Sequence, residues 1–209
     1  MTFKLVRFLV RFVMALIAKV EVIGLEKVPP GSFILAANHL GRLDSAVLLA
    51  VLDREDIIMP IAEKYKNHPI FGLLGRGVNA IWLNRFDVDL QAMRQILARM
   101  EKGGLMVIAP EGTRSKTEAL QPGKPGVAFL AAKSGYPVLP VALTGTQDRL
   151  VLENLKHLHR TKITAVVGEP IYVEAPRGSG REAALQAATD DIMRQIAAML
   201  PEDYRGVYA

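Results

Sequence analysis

From residue 2 to residue 19 the chain is almost free of helix breakers, and its charges keep to one side. At 3.6 residues per turn Lys4, Arg7 and Arg11 share a narrow stripe, which Ala15 and Ala18 continue. The remaining arc is apolar and includes Phe3, Leu5, Phe8, Leu9, Phe12, Val13 and Leu16. The longest uncharged run, Phe12 to Ala18, falls far short of the roughly 20 residues that cross a bilayer. Basic residues are spread through the segment and no strong cleavage site follows, which is unlike a secretory leader. Two settings fit this pattern. One is a core helix with its basic stripe in water. The other is a helix lying in the lipid headgroup region, with its bases on anionic lipid and its apolar arc at the acyl boundary. The width of the apolar arc favours the second.

Beyond this helix the pattern alternates between short aliphatic runs and helical periods. Phe33–Ala37, Ile57–Ile61, Val78–Leu83, Leu105–Ala109, Val138–Leu143 and Ile163–Val167 read as buried strands. Asp44–Leu52 opens on an acidic residue suited to a helix N-terminus. Asp87–Lys102 puts Met93, Ile96, Leu97 and Met100 on one face and stops at Gly103-Gly104. A short helix at Val127–Ser134 ends at Gly135. The last helix opens with Ser179 and Glu182 at capping-box spacing, buries Leu185, Ile192, Ile196 and Leu200, and stops at Pro201. The sequence therefore predicts an α/β fold with a largely parallel or mixed central sheet flanked by helices. It divides into an amphipathic membrane-surface helix over 1–20 and a single domain over 21–209. The loop from Glu111 to Gly126 is long and rich in Gly, Pro and charge, the character of a functional loop.

Composition narrows the chemistry. Half of the 209 residues are hydrophobic but only 6% are aromatic, so the core must be aliphatic. A net charge of +5 favours anionic partners: nucleic acid, anionic lipid or a phosphorylated substrate. Charge alone does not choose among them. The chain has no cysteine, which excludes disulfides, thiolate metal sites and a thiol nucleophile. His68, His157 and His159 make no metal-ligand pattern, and the basic run Lys156 to Lys162 reads as a solvated loop or a headgroup or carrier contact.

Two constellations carry chemistry. In Asn38-His39-Leu40-Gly41-Arg42-Leu43-Asp44 the histidine follows a strand and the aspartate opens a helix, so a tight turn can join them. A carboxylate that accepts from one imidazole nitrogen leaves the other as a base for an alcohol proton. Such a pair also arises by chance, and alone it is weak. In Pro110-Glu111-Gly112-Thr113-Arg114-Ser115 an arginine stands just past a strand's carboxyl end, where open α/β sheets bind ligands and where a guanidinium can grip phosphate. Asn84-Arg85 places another arginine at a strand end.

Taken together, these segments resemble the glycerolipid acyltransferase family typified by 1-acyl-glycerol-3-phosphate acyltransferase. Asn38-His39 with Asp44 matches the family's Asn-His pair followed after four residues by Asp. Ala80-Ile81-Trp82-Leu83-Asn84-Arg85 is similar to its strand ending in Arg, Pro110 to Ser115 matches its third signature almost letter for letter, and Pro137-Val138-Leu139-Pro140-Val141 is similar to its proline-bearing strand. The likeness runs from about Pro30 to Gly145. Gly41 stands where many members have Ser, and Asn84 replaces an acidic residue that often precedes the arginine.

The resemblance implies His39 as general base, oriented by Asp44. It implies Arg85 and Arg114 on the acceptor's phosphate, and Glu111, Gly112 and Thr113 placing its glycerol part. The implied reaction is direct transfer of a fatty acyl group from an acyl thioester, acyl-CoA or acyl-acyl carrier protein, to the free hydroxyl of a lysophosphatidic acid-like acceptor. Backbone amides near Gly41 are the expected oxyanion donors. The expectation includes no bound cofactor, no metal, no nucleic acid, and peripheral or monotopic attachment to anionic lipid on the cytoplasmic face of the cell membrane. Alternatives are another lysolipid or glycerol-3-phosphate as acceptor, a phospholipid hydrolase in which His39 activates water, and a silent lipid-binding module.

Overall fold

The computed structural model describes residues 2–84, 89–176 and 178–209. Two helices and the two strands that lie between them in sequence begin the fold: α1 (Phe3–Ile17), β1 (Ala18–Ile23), β2 (Ile34–Ala37) and α2 (Asp44–Val51). There follow β3 (Ile57–Ile58), β4 (Pro60–Ala62), α3 (Pro69–Gly77), β5 (Ile81–Leu83), α4 (Leu90–Glu101) and β6 (Leu105–Ile108). The chain closes with α5 (Gly126–Ser134), β7 (Val138–Thr144), α6 (Asp148–Lys156), β8 (Thr161–Val167) and α7 (Arg181–Ala198).

Six strands form one sheet in the order β1-β8-β7-β2-β6-β3, and β4 and β5 form a separate parallel pair. Only β7 and β8 run antiparallel, so the sheet is mixed within an α/β fold, as expected. β2 is central and buried on both faces, which is why it reads as an unbroken apolar run rather than an alternating one. Alternation still sorts its side chains: Leu35 and Ala37 join the core under α1 and α2, and Ile34 and Ala36 join the core under α4, α5 and α7. Fully burying side chains such as Phe33 and Ile34 contributes roughly 1.5–3 kcal/mol each.

Several boundaries differ from those the sequence suggests. The N-terminal helix stops at Ile17, and Ala18–Ile23 turns at once into a strand paired with β8, a period-2 segment hidden in the tail of a helical pattern. The run Ile57–Ile61 is split at Met59, because Ile58 pairs with Met106 in the large sheet while Pro60 pairs with Ile81 in the small one. The run Val78–Leu83 is a strand only from Ile81, since α3 ends at Gly77 and Asn79 takes a left-handed φ of 51°. α3 is absent from the sequence-based expectation because its glycines break the helical signal. They serve packing: a Cβ on Gly75 would lie 2.5 Å from the Trp82 ring. α6 likewise lay unread in a charge-rich stretch. The last helix has Gly180 as its N-cap with no side-chain cap, so the expected Ser179–Glu182 box does not form. The start of the helix expected at Asp87 lies outside the described residues. The described part begins at Leu90, capped by Asp89, whose carboxylate accepts from Ala92 N at 2.9 Å.

α1 packs on α2 with Val6 and Met14 buried. Its bases are not displayed outward as a set. Arg11 Nε donates to Ala50 O at 2.8 Å, satisfying a carbonyl in the last turn of α2, and Arg7 Nη1 donates to Arg54 O at 3.1 Å. Both arginines also pair with Asp53, and Lys4 pairs with Glu55. Besides Lys4 and Arg11, α1 leaves a broad apolar face in solvent: Phe8 is 64% exposed, Phe12 56% and Leu16 61%, beside Leu5, Leu9 and Val13. No helix among the described residues is long and apolar enough to cross a membrane.

Candidate active site

β2 and β6 are parallel neighbours, with Ala36 opposite Ile108 in register. The Asn38–Asp44 turn and the Pro110–Ser115 loop therefore leave the same sheet end side by side. The turn is fastened from its first residue. Asn38 is buried, its amide nitrogen donates to Leu143 O at 2.9 Å, and its amide oxygen accepts from Leu143 N at 2.7 Å. The side chain thus imitates one more rung of the β2–β7 pairing and fixes where the strand stops.

His39 Nδ1 lies 2.6 Å from Asp44 Oδ2. A carboxylate oxygen can only accept, so in the neutral imidazole the proton sits on Nδ1 and the lone pair on Nε2. Asp44 Oδ2 also accepts from Leu40 N at 2.8 Å and Gly41 N at 3.0 Å. The acidic residue that opens α2 therefore turns back onto the preceding turn instead of capping its own helix. This overturns one expectation: the amides of Leu40 and Gly41 are spent on Asp44 and that of Arg42 on Asp148, so none of the three is free to bind an oxyanion.

The second loop holds the first. Glu111 is buried, and its two oxygens accept from His39 N at 2.7 Å and Gln121 N at 3.0 Å. Ser115 N donates to His39 O at 2.8 Å, so both backbone groups of the histidine are gripped by the Pro110–Ser115 segment. Glu111 is thus built into the scaffold, where the resemblance had it placing glycerol. Burial raises its carboxyl pKa above the ordinary value, opposed by the two amide donors. Gly112 adopts φ +71° and carries the Lys124 side chain against its Cα, while Thr113 is exposed. Arg114 Nη1 donates to Asp148 Oδ2 at 3.0 Å. Arg85 lies outside the described residues.

A cavity of about 400 Å³ opens from His39, Asp44 and Gly112 into the space between the large sheet and the β4–β5 pair. Leu48, Met59, Ile61, Leu83, Met93 and Leu130 give it a mainly apolar wall, with Asn84 and Lys124 among the few polar groups. A base at the mouth of an apolar pocket can deprotonate a hydroxyl brought to it while a hydrocarbon group fills the space behind. Among the described residues no cluster of three His, Asp or Glu side chains could hold a metal ion.

The family model described as Acyltransferase matches residues 19–144, more than half of the chain, including the Asn38–Asp44 turn and the Pro110–Ser115 loop. The chain belongs to the acyltransferase family. It is 28% identical over 158 residues to a chloroplastic 1-acyl-sn-glycerol-3-phosphate acyltransferase of Brassica napus, a match that covers 74% of this chain and 45% of that protein. It is 30% identical over 165 residues to a lyso-ornithine lipid O-acyltransferase of Rhizobium meliloti, covering 75% of this chain and 55% of that protein. The chain thus spans about half the length of the curated relatives it matches. The crystal structure of the 1-acyl-sn-glycerophosphate acyltransferase of Thermotoga maritima superposes with a TM-score of 0.66 at 24% identity, over 91% of this chain and 76% of that one.

Within this family member, Gly41 has a local cause. A Cβ there would lie 1.9 Å from Thr146 O, so the loop after β7 occupies the space that a serine would need. Sequence reasoning did not find Asn38 and Ser115 as fasteners, nor Asp148. Asn38 and Ser115 were inside the motifs, but nothing in their spacing says which backbone group each would meet.

The Glu111 geometry gives a stability test. Replacing Glu111 by Gln sets an amide donor against one of two backbone donors, and should cost about 1–3 kcal/mol in denaturant unfolding at neutral pH. The folded-state pKa of Glu111 is raised, so its ionisation opposes folding. The part of the stability linked to this proton is full below the unfolded-state value and is lost as pH rises through the folded-state value. The wild-type advantage over Glu111→Gln should therefore be larger near pH 4 than near pH 7, and a gap that widened with pH would contradict the burial effect.

Proposed function

We propose that this chain transfers a fatty acyl group from an acyl thioester to the free hydroxyl of a lysophosphatidic acid-like acceptor, working at a membrane surface. The observation that carries the reading is the His39–Asp44 pair at 2.6 Å standing at the mouth of an apolar cavity. Asp44 holds the imidazole in the tautomer whose Nε2 accepts a proton. His39 Nε2 takes the acceptor's hydroxyl proton as that oxygen attacks the thioester carbonyl. A new C–O ester bond forms, the C–S bond breaks, and the departing thiolate takes the proton back from the imidazolium. The products are a diacyl lipid and a free thiol, with no acyl-enzyme needed. The donor is acyl-CoA or acyl-acyl carrier protein, and its acyl chain fits the apolar cavity. The acceptor's phosphate is read by Arg114 and Arg85, guanidiniums suited to bidentate phosphate contact.

The family membership supports transfer rather than hydrolysis, and the relatives named 1-acyl-sn-glycerol-3-phosphate acyltransferase favour a phosphate-bearing acceptor, whereas the Rhizobium meliloti relative is named for an amino-acid lipid. His39 lies outside the two apolar core clusters, although Leu40 and Asp44 beside it are buried. His39→Ala should therefore abolish transfer with thermal unfolding unchanged. Asp44→Asn should cost on the order of a hundredfold in turnover, because it loses both charge stabilisation and the tautomer. Near-normal turnover by purified His39→Ala protein would end the general-base assignment.

Attachment to the membrane is assigned to the apolar face of α1, since Arg7 and Arg11 are engaged with α2 and its following loop. An exposed face that holds Phe8, Phe12 and Leu16 is larger in apolar character than a solvated helix needs. A Phe8→Ser, Phe12→Ser, Leu16→Ser variant should co-sediment with anionic vesicles much less than the wild type, and most of that difference should persist as salt rises. A wild-type advantage that vanished in high salt would return the attachment to exposed charge.

A further inference from the structure

Beside the catalytic turn two arginines share one carboxylate. Arg42 Nη1 donates to Asp148 Oδ2 at 2.8 Å, and Arg114 Nη1 donates to the same oxygen at 3.0 Å. The two guanidiniums are thus held within reach of a single atom. Asp148 is anchored independently of them, because its other oxygen accepts from Arg42 N at 2.8 Å. This arrangement depends on Gly41. A Cβ at that position would strike Thr146 O and lie 3.2 Å from Asp148 Oδ1, so a side chain there would push the start of α6 away from the turn.

Two like charges brought together in this way repel, and the shared carboxylate offsets that repulsion while leaving the cluster one positive charge in excess. Each guanidinium has five N–H donors, and each gives one to Asp148. The remaining donors are accessible: the Arg42 side chain is 59% exposed and that of Arg114 is 32% exposed. A phosphate monoester offers several anionic oxygens, so it can accept from both guanidiniums at once.

We propose that Arg42 is a second phosphate-binding residue of the acceptor site, acting beside Arg114, and that Asp148 is the positioning residue that holds the two together. The proposal rests on Arg114 contacting the acceptor's phosphate. It adds a cation from inside the catalytic turn itself, three residues after His39, so headgroup binding and base placement share one rigid loop. Asp148 is a fixed part of the site and does not leave when phosphate arrives, since its bond to the Arg42 amide ties it to the turn.

The test uses the full-length protein in mixed micelles with 1-acyl-glycerol 3-phosphate and an acyl thioester. It measures KM and, independent of turnover, the Kd for the same lysolipid. Arg42→Gln should raise both by about tenfold, the size expected for losing one partly exposed charge-assisted contact. The KM for the thioester should move far less, and Arg42→Lys should recover part of the loss. Asp148→Asn should raise the lysolipid KM as well, and Arg42→Gln should then add little in that background. Arg194→Gln, which loses an exposed ion pair on α7, controls for a general loss of charge. If Arg42→Gln leaves KM and Kd unchanged while Arg114→Gln raises them, the role of Arg42 falls and that of Arg114 stands. If neither variant moves them, the phosphate reading of Arg114 falls too. A lower KM for Asp148→Asn would make Asp148 a competitor for the arginines and would overturn its positioning role.

Discussion

One carboxylate oxygen, Asp44 Oδ2, accepts from the His39 imidazole and from the amides of Leu40 and Gly41. Three donors on one buried acceptor hold the six residues His39–Asp44 in a closed turn, so the histidine ring has little freedom about its own backbone. Asp44 orients the imidazole ring from within the turn, while the backbone of His39 is held from outside it by Glu111 and Ser115. The same bonds occupy the Leu40 and Gly41 amides, which an open turn would leave free.

The sheet makes this turn usable. β2 and β6 end together, and the loop after β6 reaches across through Glu111 and Ser115 to take both backbone groups of His39. A motif that reads as a ligand-binding sequence is therefore half scaffold: its buried acid and its Ser115 amide hold the base, while Arg114 points to the charged rim. On the other side the loop after β7 presses on Gly41 and brings Asp148 to the arginines. His39, the apolar cavity and the paired arginines are thus set by the ends of three adjacent strands, the arrangement that the proposed acyl transfer would use.

Much of this was readable in advance, for reasons that differ by element. The core strands were visible because burial on both faces turns them into aliphatic runs, and α4 and α5 because their apolar faces keep a helical period. The His39–Asp44 contact was readable because strand, turn and helix follow one another within seven residues. β1 was hidden, since a short alternating strand directly follows an amphipathic helix and borrows its pattern. α3 was hidden by glycines whose purpose is contact with Trp82 and the neighbouring loop. The use of Arg7 and Arg11 was misjudged because periodicity tells which residues share a stripe and not what the stripe faces. Asp148 was out of reach for a related reason: its partners lie more than thirty positions away, and only the tertiary fold brings them together.

The central claim is that the base serves an alcohol and not water. The most direct measurement incubates the purified full-length protein with an acyl thioester and 1-acyl-glycerol 3-phosphate, and counts free thiol, diacyl lipid and free fatty acid in the same sample. The account predicts one diacyl glycerol phosphate for each thiol released, and almost no thiol release when the acceptor is left out. Thiol release matched by free fatty acid, at a rate indifferent to the acceptor, would contradict it.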